Sequence, residues 1–131
     1  SRDEPRWLTR TVVDAIRADQ LRRHGGFPGV DDEDLFESAL ARPRHRWAYA
    51  GEDKPDLAKP AAACGLGLAK NHGFRYGNKR IALMAMYVFL GLNDQRIVAE
   101  NLPRELMRDV ASGACSEAEL AEWLDTYIEA R

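Results

Sequence analysis

A polar segment in the middle of the chain carries the residue types that could do chemistry on an anion. It reads Asn71-His72-Gly73-Phe74-Arg75-Tyr76-Gly77-Asn78-Lys79-Arg80 and runs directly into an apolar stretch, Ile81 to Leu90. The first amides of a helix have no intrahelical partners, and the helix dipole places partial positive charge at that end. A helix that starts here would therefore offer an anion site, for which phosphate is the natural candidate.

Three basic side chains, Arg75, Lys79 and Arg80, add positive charge to the same predicted helix start. Each disfavours the free helix by roughly 0.3 to 1 kcal/mol, and a bound polyphosphate would turn that penalty into attraction. Charge alone leaves one alternative open, which is that these side chains extend into solvent or pair with acidic residues elsewhere.

His72 is the one histidine beside this predicted anion site. A neutral imidazole with a pKa of about 6.5 is suited to take a proton from an attacking hydroxyl, as a general base does. The alternative is a histidine that is hydrogen-bonded at the end of the preceding helix. We interpret His24 and His45, which lack comparable surroundings, as loop or surface residues.

The elements that must position this segment are predicted to be helices. Helical spacing and end signals predict them over residues 7–24, from about Asp31 to Pro43, from about Pro60 to Asn71, over 81–90, from Pro103 to about Gly113, and from Ser116 through Ile128. The fourth is apolar on every face and is expected to be the central, fully buried helix. Residues 44–55 lack a helical period and predict a loop or short β-hairpin.

Particular residues refine these predictions. Pro43 is expected to stop the second helix, and Ser116 with Glu119 predicts a capping box at the last one. Gly65 and Gly67 inside the third helix indicate the close approach of a neighbouring element. The expected fold is an all-α, compact bundle of about six helices with one irregular arm, in a single domain over residues 1–131.

Composition narrows the function classes. A net charge of -2 and a pI of about 5.9 argue against direct binding of nucleic acid. No run of 18 or more apolar residues occurs and residues 1–10 are charged, so neither a membrane span nor a signal peptide is indicated and the cytoplasm is the expected compartment. Cys64 and Cys115 are predicted to be reduced structural thiols.

The segment from His72 to Arg80 resembles the loop pattern of the Fic/Doc family, H-x-F-x-(D/E)-(A/G)-N-(G/K)-R. It matches six of the seven specified positions. The resemblance extends upstream to residues 24–29 and 35–43, which look like the first loop and the second helix of the Doc branch. It implies a Fic/Doc-type helical bundle acting as a toxin of a toxin–antitoxin module.

The resemblance also implies roles for individual residues. His72 would be the general base and Phe74 a core anchor of the loop. Residues 47–54 would lie where the family has a flap that docks the target segment as an added strand. Phosphate would be held by Gly77, Asn78, Lys79 and Arg80.

Two positions favour the Doc branch of the family over the Fic enzymes. The Doc branch implies a kinase, whereas the Fic enzymes transfer adenylate to protein hydroxyls (AMPylation). Lys79 replaces the small glycine of the adenylating pattern, and Leu83 stands where those enzymes often carry a second arginine for the outer phosphates. The implied reaction is transfer of the ATP γ-phosphate to a threonine of elongation factor Tu, which arrests translation. Adenylylation of a protein hydroxyl is the alternative.

Tyr76 departs from the family pattern, which has an acidic residue there to bind the magnesium that bridges the nucleotide phosphates. Magnesium prefers hard, negatively charged oxygen ligands, and residues 71–80 contain no carboxylate. We therefore expect metal-assisted transfer to be severely weakened. Three explanations stay open: a degenerate member of the family, a substitution that relieves toxicity, or a metal held by a carboxylate remote in sequence.

Control by a partner is the last implication of the resemblance. The chain contains no S/T-x-x-x-E-(G/N) inhibitory motif. An antitoxin is therefore expected in trans, with a disordered tail that folds into a groove of the toxin. A second hypothesis follows from Tyr76: a catalytically impaired relative that binds its antitoxin without turnover.

Overall fold

The computed structural model describes residues 4–24, 33–48, 57–69, 78–98 and 104–130. These residues form six α-helices and two short strands. In chain order the elements are α1 (Arg10–His24), α2 (Glu33–Ala48), α3 (Ala58–Ala69), α4 (Asn78–Leu92), β1 (Gln95–Ile97), α5 (Arg104–Ser112), α6 (Glu117–Tyr127) and β2 (Ile128–Ala130). The predicted helical bundle is confirmed, with a small antiparallel sheet added to it.

Helix α1 begins at Arg10 rather than at the predicted Trp7, because Thr9 caps it. The Thr9 hydroxyl accepts a hydrogen bond from the Val12 amide at 3.2 Å, and the Thr9 carbonyl accepts one from the Val13 amide at 3.1 Å. Trp7 instead stacks on Phe89 of α4, with ring centroids 5.9 Å apart. The segment before α1 is thereby packed onto α4.

The prediction that Pro43 stops the second helix is wrong, because α2 continues through it to Ala48. A proline inside a helix removes one backbone hydrogen bond and costs about 3 kcal/mol. Tertiary packing offsets that cost: Pro43 is buried, α2 lies along α3, and the Trp47 ring meets Trp7 edge-on with centroids 6.0 Å apart. Trp47 therefore belongs to the last turn of α2 and not to a flap, and residues 49–54 of the predicted flap lie outside the described residues.

The central helix is α3, and the prediction that the fourth helix is buried all round is wrong. Helix α3 packs against α2, α4, α5 and α6. Its residues Pro60 to Gly65 are buried without interruption, and Ala58 and Leu68 are buried too. Helix α4 buries one face and leaves Leu83, Tyr87 and Val88 partly exposed. Small side chains, mostly alanine, are what allow α3 to occupy the middle.

The last helix starts as predicted and ends earlier. Ser116 and Glu119 form the capping box, in which the Ser116 hydroxyl accepts from the Glu119 amide at 3.1 Å and the Glu119 carboxylate accepts from the Ser116 amide at 3.2 Å. The helix stops at Tyr127, and Ile128 begins β2, which pairs with β1 in the register Ile97 to Ile128. That strand pairing was not predicted, because it joins residues about 30 positions apart.

Both cysteines are free and buried, as predicted. Burial raises the pKa of the Cys64 thiol to about 12. Within the described part of the chain, no helix combines the length and the apolar character needed to cross a lipid bilayer.

Candidate functional site

The candidate site lies between the end of α3 and the start of α4. Helix α3 ends at Ala69 and α4 begins at Asn78, so the last three residues of the singled-out segment, Asn78, Lys79 and Arg80, occupy the first three positions of α4. The backbone confirms the predicted helix after this polar segment, but the helix begins at Asn78, three residues before the predicted Ile81. Four of the predicted site residues, His72, Phe74, Tyr76 and Gly77, lie outside the described residues.

The start of α4 is electropositive for two reasons. Its first backbone amides point out of the helix without intrahelical partners, and the aligned peptide dipoles add partial positive charge there. No acidic residue occupies the first turn of α4, whereas Lys79 and Arg80 both lie in it. The arrangement is chemically suited to hold phosphate oxygens.

Helix α4 is held firmly behind this start by its buried face. The buried residues repeat at helical spacing and face α1 and α3; they are Ile81, Ala82, Ala85, Met86, Phe89 and Leu90. Leu83 lies one turn into the helix, on its partly exposed side, and packs against the core. An aliphatic side chain there offers no charge to a nucleotide.

The other end of α4 is fixed by Asn93, which the sequence analysis did not single out. Its amide nitrogen donates to the Phe89 carbonyl at 2.8 Å and to the Arg6 carbonyl at 3.0 Å, and its Oδ1 accepts from the Arg6 amide at 2.8 Å. Asn93 thus both caps α4 and ties the N-terminal segment to it. An asparagine directly after an apolar run is the signal that could have indicated this role.

Gly65 and Gly67 let the last two turns of α3 pack closely against α4 and α2. The predicted close approach of a neighbouring element is therefore confirmed. A Cβ atom on Gly65 would overlap Sδ of Met86 and stand 3.0 Å from its Cγ. A Cβ atom on Gly67 would stand 3.1 Å from Cδ of Arg42 and 3.5 Å from Cα of Ala39. The end of α3 is therefore set by contact with α4 on one side and with α2 on the other.

Arg42 extends this arrangement to α6. Its Nη2 lies 2.6 Å from Oε1 of Glu117, and the pair is only partly exposed. Sequence reasoning missed the pair because its two residues are 75 positions apart. The ion pair therefore links α2 to α6, and Arg42 also lies against Gly67 of α3.

A groove of about 380 Å³ lies between the first turn of α3 and α6, lined by Ala58, Lys59, Glu117, Ala118, Ala121, Glu122 and Asp125. The α3 residues that line it are the first two of a helix of 12 residues, about 18 Å long, whereas Glu117 also pairs with Arg42, whose stem lies beside Gly67 near the other end of that helix.

Among the residues that the structure describes, no group of three or more His, Cys, Asp or Glu side chains is placed to hold a metal ion.

Tyr87, on the partly exposed face of α4, has its pKa raised by burial, so its phenol stays protonated at neutral pH.

Known proteins resemble this chain over most of its length. Residues 7–90 match the profile of the Fic/DOC family, a range that includes the segment from His72 to Arg80. Toxin Doc of Mycolicibacterium smegmatis is 34% identical over 109 residues, which cover 81% of this chain and 83% of that protein. Protein kinase doc of Escherichia phage P1 is 30% identical over 110 residues, which cover 84% of this chain and 86% of that protein.

Proposed function

Because this chain belongs to the Fic/DOC family, we propose that it is the toxin of a toxin–antitoxin module and a protein kinase. Its reaction would move the γ-phosphate of ATP to a threonine hydroxyl of elongation factor Tu. The observation that carries the proposal is the start of α4 at Asn78, which puts the last three motif residues on an electropositive first turn. The names of the two relatives, a Doc toxin and a Doc protein kinase, support both parts.

In this proposal the chain's own residues bind and orient. The amides at the start of α4, with Gly77, Asn78, Lys79 and Arg80, hold the phosphates, and Phe74 anchors the loop. His72 takes the proton of the threonine hydroxyl as its oxygen attacks the γ-phosphorus. The new oxygen–phosphorus bond forms as the bond to the β-phosphate oxygen breaks, and ADP leaves.

We prefer the kinase reaction over adenylylation because of the way in which the outer phosphates of ATP would be held. Adenylylation needs those phosphates held as the leaving group, a task for which Fic enzymes often carry a second arginine. Here that position is Leu83, which packs partly buried against the core. Lys79, in place of a glycine, adds a bulky cation beside the phosphates and favours a reoriented nucleotide.

Magnesium does not fit the residues present. The position that would supply its carboxylate is Tyr76, and a neutral phenol is a poor ligand for a hard divalent cation. The described residues offer no cluster of carboxylates in its place. The mechanism above therefore has no step through the metal, and transfer by this chain is expected to be slow.

A second candidate function follows from Tyr76 alone. A chain that keeps the fold and the helix start but lacks the metal ligand would bind an antitoxin supplied in trans without catalysing transfer. It predicts tight binding of the antitoxin, no phosphate transfer, and turnover restored by Tyr76→Asp.

The test is label transfer to elongation factor Tu. The purified chain and its Tyr76→Asp variant are incubated with magnesium, the factor, and ATP labelled at either the γ- or the α-phosphate. We expect the γ label to reach the factor, at least tenfold faster with Tyr76→Asp. His72→Ala should abolish transfer, whereas His45→Ala, an exposed histidine of α2, should leave it unchanged.

Each other outcome assigns a different function. Transfer of the α label would replace the kinase proposal with adenylylation. Absence of both labels with the chain itself, together with transfer by Tyr76→Asp, would leave antitoxin binding as the function of this chain, and absence of both labels with both proteins would remove elongation factor Tu as the target.

A further inference from the structure

We propose that the groove between the first turn of α3 and α6 is a docking surface for a basic amphipathic helix of a partner protein. The floor of the groove is made of alanines, and its α6 wall carries carboxylates. The inference is independent of the proposed function, because it concerns binding alone and is tested without phosphate transfer.

The floor of the groove is apolar and shallow in side-chain terms. Ala58 at the start of α3 is 3% exposed, Ala121 of α6 is partly buried, and Ala118 of α6 is exposed at the opening. Because methyl groups are small, the axis of a third helix can approach these two toward the near end of the usual range of about 8 to 10 Å. The floor therefore offers close apolar contact to a partner helix.

The α6 wall follows from helical spacing. Its lining residues are Glu117, Ala118, Ala121, Glu122 and Asp125, at positions i, i+1, i+4, i+5 and i+8, which share one side of a helix. This stripe extends over about 12 Å, or about two helical turns. A helix that lies along the groove can contact the whole stripe, as amphipathic helices do in the grooves that bind them.

The charge of the α6 wall selects the sign of the partner. Residues 117–130 contain five acidic side chains and no lysine, arginine or histidine. Glu117 belongs to the ion pair described above, whereas Glu122 and Asp125 are exposed and form no ion pair with other described residues. Lys59 lies on the α3 wall, so the negative charge is confined to the α6 side.

This charge distribution distinguishes between kinds of partner. Anionic membrane surfaces and nucleic acids attract lysine and arginine and are repelled by carboxylates. A protein helix with lysine or arginine beside an apolar stripe is complementary to the groove. Its apolar side chains cover the alanines, and its cations reach Glu122 and Asp125.

The test uses the full chain and a short synthetic helical peptide whose leucine stripe is flanked by arginines. A control peptide has glutamates in place of the arginines. Isothermal titration calorimetry measures the affinity, and the backbone amide NMR resonances of Ala118, Ala121 and Glu122 report where the peptide lies. Thermal unfolding first shows that each variant of the chain is folded.

The first variant tests the charge of the wall. Glu122→Lys/Asp125→Lys should weaken binding of the arginine peptide by about tenfold or more, because it turns attraction into repulsion. Glu4→Lys/Asp109→Lys is the matched control: it makes the same change of net charge at two exposed residues that do not line the groove. Its affinity should stay within about twofold of the original chain.

The second variant tests the space in the groove. Ala118→Phe fills the opening without changing the charge and should also weaken binding by about tenfold or more. Thr126→Phe is the matched control, because Thr126 is exposed on α6 and does not line the groove. Binding by this control should stay within about twofold of that of the original chain.

Equal affinity for the two peptides, or unaltered affinity in Ala118→Phe, would overturn the proposal. Absence of amide shifts on α6 with the arginine peptide at up to about 1 mM would do the same. Self-association of the chain that Ala118→Phe abolishes, without binding of the arginine peptide, would assign the groove to a second copy of the chain instead. None of these measurements involves ATP, so their failure is distinct from a failure of the proposed function.

Discussion

Arg42 of α2 and Glu117 of α6 form an ion pair with an Nη2–Oε1 distance of 2.6 Å across 75 positions of sequence. The Glu117 side chain is 20% exposed and that of Arg42 is 40% exposed, so solvent screens the pair only in part. The stem of Arg42 lies against Gly67 at the same time. One arginine therefore connects three helices at the end of the bundle that carries the candidate site.

The first prediction is a measurable coupling between these two residues. A double-mutant cycle with Arg42→Ala and Glu117→Ala, followed by urea unfolding, should give a coupling free energy of about 1 kcal/mol. The exposed pair Arg96 and Glu129 on the two strands is the control, with a smaller expected coupling of about 0.5 kcal/mol or less. Equal couplings for the two pairs would contradict the argument from burial.

Asn93 gives the second prediction. Asn93→Ala removes three hydrogen bonds and should lower the free energy of unfolding by about 1 to 2 kcal/mol. Hydrogen exchange checks the mechanism, since the Arg6 amide should exchange faster once its acceptor is gone. Asn93→Asp keeps the acceptor and should preserve protection of that amide. Protection that persists in Asn93→Ala would show that the packing of Trp7, not the hydrogen bond, protects Arg6.

The third prediction concerns the capping box of α6. Ser116→Ala should cost about 1 kcal/mol of stability, because the Glu119 amide loses its acceptor. Ser38→Ala, on the exposed face of α2, is the matched control and should stay within about 0.5 kcal/mol of the original chain. Thermal unfolding of both variants measures the difference.

The Cys64 thiol gives a fourth prediction, on pH. Burial raises its pKa from an ordinary 9.0 to about 12 in the folded chain. Between these values the unfolded thiol loses its proton while the folded one keeps it, so the unfolded state binds fewer protons and stability falls as pH rises from 9 to 12. Urea unfolding at several pH values should show a steeper decline for the original chain than for Cys64→Ala, and parallel curves would contradict the assignment.

The fifth prediction tests the role of Lys79. Lys79→Gly should lower the ratio of γ to α label that reaches elongation factor Tu, because the cation proposed to reorient the nucleotide is removed. Lys59→Gly is a matched control, since Lys59 occupies the same second position of α3 and lies at the far end of that helix. An unchanged ratio in Lys79→Gly would remove Lys79 from the account of kinase preference.

Two features that depend on residues close together in the sequence, the capping box of α6 and the close approach at the glycines of α3, were predicted correctly. The capping box needs only Ser116 and Glu119, and the glycines of α3 leave space whichever helix fills it. Pro43 shows where such reasoning fails. Its local cost predicts the end of a helix, but burial of α2 against α3 and contact of Trp47 with Trp7 carry the helix through it.

The sequence by itself determined the helical class, the presence of a helix directly after the polar segment, the free thiols and the resemblance to the Fic/Doc family, because motif spacing and periodicity are local properties. The tertiary structure alone decided that α3 and not α4 is central, that Ile128 to Ala130 pair with β1, and that Arg42 meets Glu117. These are outcomes of competition among distant surfaces for burial. A pattern of residues records which surfaces are apolar, but only packing determines which of them is covered.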